Sequence, residues 1–160
     1  MIFVENLFTD EQLQDIKEEL KGRRNVTFVF RGSGGHFDKI LEIAELIQKI
    51  PETKALALNA SSGPFFLALM CKKRFALKNA NLVAHTGCIK IEEIDLIDGE
   101  KIPKRILKDL ENYKTQLFLR LEELGLGSED ISMLRHTGKL NAPAPWWFKK
   151  GIFRPDDEMI

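Results

Sequence analysis

Apolar positions along this chain recur with two periods, and the alternation between them predicts the elements. The run Val26–Phe30 (VTFVF) is apolar on both faces, as a strand buried in a parallel sheet would be. It runs into Gly32–Ser33–Gly34–Gly35. Ile40, Ile43, Ala44 and Ile47 then fall at helical spacing, and Pro51 follows the helix end. Ala55–Leu58 is the next strand. It leads into a tight turn at Ser61–Ser62–Gly63, an apolar helix, a short strand through Phe75 and a last strand ending at His85. Upstream, Ile2–Val4 forms a strand. Thr9 offers a capping box with Gln12 to a helix striped by Leu13, Ile16 and Leu20, which Gly22 can stop. Strand, helix and strand of these lengths imply right-handed crossovers between parallel strands, so the fold class is α/β. Both the glycine loop and the serine turn then belong at the carboxyl ends of adjacent strands, where open α/β sheets place their sites.

The second half changes texture. Residues 89–102 (IKIEEIDLIDGEKI) alternate apolar and charged residues around Asp98–Gly99, which predicts a hairpin. Pro103 opens a long helix with Ile106, Leu110, Tyr113, Leu117, Leu121 and Leu124 on one stripe, and Leu107 and Phe118 off it. That surface is broad enough to be covered by its own domain or by another subunit. Gly125 to Gly127 break the helix, and Ser128 can cap a short one through Arg135. From Asn141 the chain reads as a loop, then a helix with Pro145 in its first turn and Gly151 past its end. The organisation expected is a single domain over 1–160: a core carrying the site (1–88), a hairpin and helix (89–127), closing helices (128–154) and a solvated tail (155–160).

Composition narrows the classes. A chain of 160 residues with 44% hydrophobic and 30% charged residues suits one soluble domain. A formal net charge of +0 gives no broad pull toward nucleic acid or an anionic membrane. No apolar run approaches the ~18 residues of a membrane span, and the first residues carry no leader pattern, so a cytoplasmic protein is expected. Cys71 and Cys88 lack metal-ligand spacing and suit a reducing compartment; Cys71 lies in an apolar helix pattern and reads as packing. His36, His85 and His136 are scattered, so neither a metal nor a cofactor is expected. His36 reads as a solvated loop residue and His136 as a surface one. Trp146–Trp147–Phe148 reads as core or subunit interface rather than a base-stacking platform, because no basic groove accompanies it.

Candidate chemistry rests on Ser62 and His85. A serine on a strand-to-helix turn, with a histidine at the mouth of a later strand, is an arrangement in which a base activates a hydroxyl. Ser61 is the alternative nucleophile, although it reads better as a turn residue. Lys101 and Lys104 keep a serine–lysine arrangement open.

Five landmarks in order carry a resemblance: the strand into Arg31–Gly32–Ser33–Gly34–Gly35, a helix, Asn59–Ala60–Ser61–Ser62–Gly63–Pro64, Lys73–Arg74–Phe75–Ala76–Leu77–Lys78–Asn79–Ala80, and the strand closing on His85. In these the chain resembles the Clp protease proteolytic subunit family, of the ClpP/crotonase fold. The match is good over residues 26 to 87 and loose beyond; Ala144–Pro145 and Gly151 resemble the family's closing segment in outline. Ala60 to Ala68 is also similar in spacing to the serine segment of signal peptide peptidases of this fold, which use lysine as base.

The resemblance implies repeated β-β-α and βαβ units around a parallel sheet, with a hairpin and long helix as a handle between subunits. It implies a serine peptidase in which Ser62 is the nucleophile, His85 the general base, and the N–H groups of Gly35 and Gly63 the oxyanion hole. It further implies a homo-oligomer acting on peptides or unfolded protein, often fed by an ATP-dependent unfoldase, with no cofactor. The chain departs from the family where an acid should orient the histidine: Arg135 to Asn141 (RHTGKLN) holds no carboxylate. Asp95, Glu92, Glu93 or Asn141 would have to stand in. Ser33 replaces the proline before the paired glycines, and Pro64 or Phe65 replaces a small residue after the serine. Two further readings follow: an inactive family member kept for assembly or regulation, and, more weakly, a crotonase-like acyl-CoA enzyme using the same two backbone donors.

Overall fold

The computed structural model describes residues 1–87 and 104–159. Within them lies an α/β fold with a mostly parallel seven-stranded sheet and six helices. The chain runs β1 (Ile2–Val4), α1 (Asp10–Leu20), β2 (Asn25–Gly32), α2 (Phe37–Lys49), β3 (Glu52–Ser61), α3 (Gly63–Met70), β4 (Lys73–Ala76), β5 (Asn81–His85), α4 (Lys104–Glu123), α5 (Ser128–Thr137), β6 (Lys139–Pro143), α6 (Ala144–Lys149) and β7 (Arg154–Pro155). The expected hairpin at 89–102, Cys88, Lys101, Glu92, Glu93 and Asp95 lie outside the described residues.

Strand β3 organises the sheet because it changes neighbours along its length. Its outer flank is paired with β2 throughout. Its other flank pairs with β4 over Lys54–Ala57 and with β5 over Ala60–Ser61, all in parallel. Asn59 sits at the fork, and its side-chain oxygen accepts from the Asn81 N–H at 2.8 Å, satisfying a donor that the change of partner would strand. The fork brings the end of β5 beside the end of β3. Strand β6 closes that side antiparallel to β5, and Trp147 Nε1 donates to the carbonyls of Leu82 and Ala142 across the pair, at 3.1 and 3.2 Å.

Helix α3 is apolar all round and buried along its whole length, as a helix in the middle of a core must be. Its carboxyl end is held by two arginines: Arg120 donates to the carbonyls of Leu69 and Cys71, and Arg74 to those of Cys71, Lys72 and Ile152. Cations at this end meet both the orphan carbonyls and the negative pole of the helix.

Several expectations hold in detail. Thr9 and Gln12 form the capping box, and Ile40, Ile43, Ala44 and Ile47 are the buried stripe of α2. Others need correction. Gly127, not Ser128, caps α5, and no side-chain bond is made there. Residues 139–143 form a strand rather than a loop, and Pro155 pairs in β7 before a 3-10 turn at Asp156–Glu158 that buries none of its residues. Trp147 is wholly buried and belongs to the core. No helix among the described residues is long and apolar enough to cross a membrane. Nor do they contain a group of three His, Cys, Asp or Glu side chains able to hold a metal.

Candidate active site

Ser62 is the one non-glycine residue with positive φ among the described residues, at φ 58° and ψ −117°. L-residues rarely adopt this conformation, which costs on the order of 1–3 kcal/mol and is kept only where the surroundings enforce it. Here they do. The Ser62 N–H donates to the Val83 carbonyl at 3.1 Å, ending the β3–β5 pairing, while its own carbonyl accepts from Phe66 N–H at 2.9 Å and starts α3. Its hydroxyl makes no capping bond to the helix.

His85 ends β5, two residues beyond the Val83 that pairs with Ser61. Ser62 and His85 thus stand at the carboxyl ends of adjacent parallel strands, both half-buried. Their side chains are not hydrogen-bonded to each other among the contacts of the described residues. Burial lowers the His85 pKa below its ordinary value, and Lys139 lowers it further. The imidazole is consequently held toward its neutral form, the form a base needs.

The two glycines converge. A Cβ at Gly63 would lie 2.4 Å from Ile40 Cδ1 and 3.0 Å from the Gly34 carbonyl oxygen, and one at Gly35 would lie 2.7 Å from the same Ile40 Cδ1. The glycine loop is pinned against the start of α3 by Ile40 beneath it. Asn6 Oδ1 accepts from the N–H groups of Ser33 and Gly34, and the His36 N–H donates to Leu7. Among the described residues, the N–H groups of Gly35 and Gly63 enter none of the loop and cap bonds, which leaves them in this frame as donors an incoming oxygen could use.

A cation stands opposite His85. Lys139 is the residue paired with His85 across β5 and β6, and Gly138 O accepts from Thr86 N–H beside it. Asn141 pairs with Val83, and its side-chain oxygen accepts from Asn81 Nδ2 at 2.8 Å, on the side away from His85. Lys104 opens α4 nine residues before Tyr113, roughly 13 Å along the axis. Ser61 stays in the sheet, paired with Val83. His36 precedes α2, its ring edge-on to Phe8 at 5.2 Å, and His136 is exposed on α5. Cys71 is buried, and burial pushes its thiol up to about 12, which leaves it inert.

Tyr113 is the site residue that periodicity concealed. It counts correctly as part of the α4 stripe and is 1% exposed, but its hydroxyl donates to the His85 carbonyl oxygen at 3.2 Å. Its ring packs on Phe66 of α3 and Phe37 of α2, with centroids 4.6 and 5.2 Å away. Burial raises its pKa. The available signal was its chemistry: a phenol in a stripe of Leu and Ile needs a polar partner once buried.

No protein-family model matches the chain, and no curated protein matches it either.

Proposed function

We propose that the chain is a serine peptidase of the Clp proteolytic-subunit type. Ser62 attacks a peptide carbonyl, His85 takes its proton, and the N–H groups of Gly35 and Gly63 hold the developing oxyanion. The observation that carries this reading is the enforced positive φ of Ser62 between β3 and a buried helix, beside the strand end that bears His85. Strain at one serine, next to a histidine held toward neutrality and two unspent glycine N–H groups, is the composition acyl transfer requires. In this reading the substrate is a peptide or an unfolded protein, the chain works as a homo-oligomer in the cytoplasm, and an ATP-dependent unfoldase is a candidate partner. A fluorophosphonate probe tests it. Covalent labelling at Ser62, lost in Ser62→Ala, is the expected result; an unlabelled assembled protein would overturn the assignment.

Lys139 favours a second reading. A cation opposite His85, where the family has an acid, fits a ClpP-like subunit that keeps the fold for assembly or regulation without catalysis. The crotonase-like alternative rests on the same two glycine donors; binding of an acyl-CoA thioester without fluorophosphonate labelling would select it.

A further inference from the structure

We propose that the cleft between β4 and the turn joining α6 to β7 is a binding site for a small phosphoryl anion, held by Lys73, Arg74 and Arg154. Lys73 pairs with Lys54, seven residues and roughly 23 Å along β3 from Ser61, so the site is separate from Ser62 and does not depend on the peptidase reading.

Charge is segregated in this cleft. About 190 Å³ in volume, it is lined by Lys72, Lys73, Arg74 and Arg154 and by no carboxylate. Although the formal net charge of the chain is +0, none of these four cations is in an ion pair among the described residues. Asp157, in the adjoining 3-10 turn, pairs with Lys78 instead. The register adds to the crowding, because Lys73 stands directly across from Lys54 and like charges so placed destabilise a sheet. Arg154 stands across from Phe75, two residues beyond Lys73 and therefore on the same face.

Arg74 is the fixed member of the set. Its Nε donates to the Ile152 carbonyl at 2.8 Å, and its Nη1 to those of Cys71 and Lys72 at 2.8 and 3.0 Å, so the guanidinium plane is set before any ligand arrives. Nη2 enters none of the hydrogen bonds of the described residues. Since no buried side-chain nitrogen there lacks a partner, Nη2 reaches solvent. Burial first, then the charges of Arg120 and Arg154, push the Arg74 pKa down to about 10, as expected where cations gather without a counter-charge. Lys72 is left out of the set because its Nζ donates to the Pro51 carbonyl.

Size and lining select the ligand. The volume is below the about 300–1,000 Å³ of sites for drug-sized molecules. Phe75 is only 4% exposed and offers no ring for a base to stack on. What fits is small, carries more than one negative charge and presents several acceptor oxygens, which describes a phosphoryl group better than a carboxylate. Arg74 supplies a directed N–H, and Lys73 and Arg154 supply charge beside it.

Calorimetric titration of the full chain with pyrophosphate, at constant ionic strength, tests the site. Lys73→Gln combined with Arg154→Gln removes two exposed cations and leaves Arg74 to hold its three carbonyls. Arg23→Gln combined with Arg24→Gln removes the same charge from the turn between α1 and β2. Binding is expected in the parent and in the second variant, and binding weaker by about tenfold or more in the first. No binding to the parent, or an equal loss in both variants, overturns the proposal, because any attraction is then diffuse. Adenosine diphosphate and acetate test the ligand class. The diphosphate is expected to bind about as well as pyrophosphate, and acetate about tenfold or more weakly. Adenosine diphosphate bound about tenfold tighter would mean that a base is read, and acetate bound equally well would mean that a carboxylate suffices; either overturns the phosphoryl assignment.

Discussion

At the scale of single residues, the site is a set of side chains and N–H groups held where they would not otherwise go. The φ of 58° at Ser62 is one such cost, and two substitutions separate it from the chemistry. Both Ser62→Ala and Ser62→Gly remove the hydroxyl, but only glycine relieves the backbone. Ser62→Gly is expected to be more stable than Ser62→Ala by about 1 kcal/mol in urea unfolding. Equal stabilities would mean the turn is not strained in solution. His85 gives a pH prediction. Its pKa lies below the ordinary 6.5, through burial first and Lys139 second. The labelling rate should therefore rise with pH through a midpoint below that value and level off above it. Lys139→Gln removes the repulsion and should move the midpoint upward. Stability follows the same linkage: the unfolded chain binds a proton more readily than the folded one. The His85 contribution is thus complete above 6.5 and is lost as pH falls toward the folded pKa, less so in Lys139→Gln. A midpoint unmoved by Lys139→Gln would show that another group controls the base.

At the scale of elements, α4 grips α3 at both ends. Tyr113 packs on Phe66 in the amino half of α3, and Arg120 donates to the carbonyls of Leu69 and Cys71 at the other end. Their separation of seven positions rises roughly 10 Å along the helix, close to the length of the eight-residue α3. Arg120→Met keeps the apolar stem and removes the guanidinium, leaving the Leu69 carbonyl without this donor. A loss of about 1.5–3 kcal/mol is expected, seen as a melting temperature lower by several degrees. A melting temperature unchanged from the parent would mean that water replaces the bond freely. Much of this level was legible before the structure. Buried stripes such as Ile40–Ile47 announce a helix because they answer to local periodicity, and Ser62 and His85 drew notice by their places at a strand-to-helix turn and a strand end, whereas Gly35 and Gly63 entered only through the resemblance. The strand at Lys139–Pro143 was not, because five residues ending in proline carry little β propensity, and pairing with β5 is what makes them a strand. The two-residue β7 escaped for the same reason. The clamp by Arg74 and Arg120 depends on tertiary contact between distant segments, which no spacing rule reports.

At the scale of the whole molecule, α4 has an inner side packed on the core and an outer side on solvent. Leu119 is 53% exposed on it, and a groove of about 280 Å³ beside it is lined by Thr115, Phe118, Leu119 and Arg135 together with the charged Glu111, Lys114 and Glu122; Leu107, 43% exposed, lies on a flank of the same helix. Scattered exposed apolar residues are ordinary, but a formal net charge of +0 offers no self-repulsion against association through such a face. In the proposed homo-oligomer this side of α4 is covered by a neighbouring subunit. Sedimentation should find an assembly for the parent chain and a monomer for Leu107→Asp combined with Leu119→Asp; a parent that is already monomeric would remove the oligomer from the proposal.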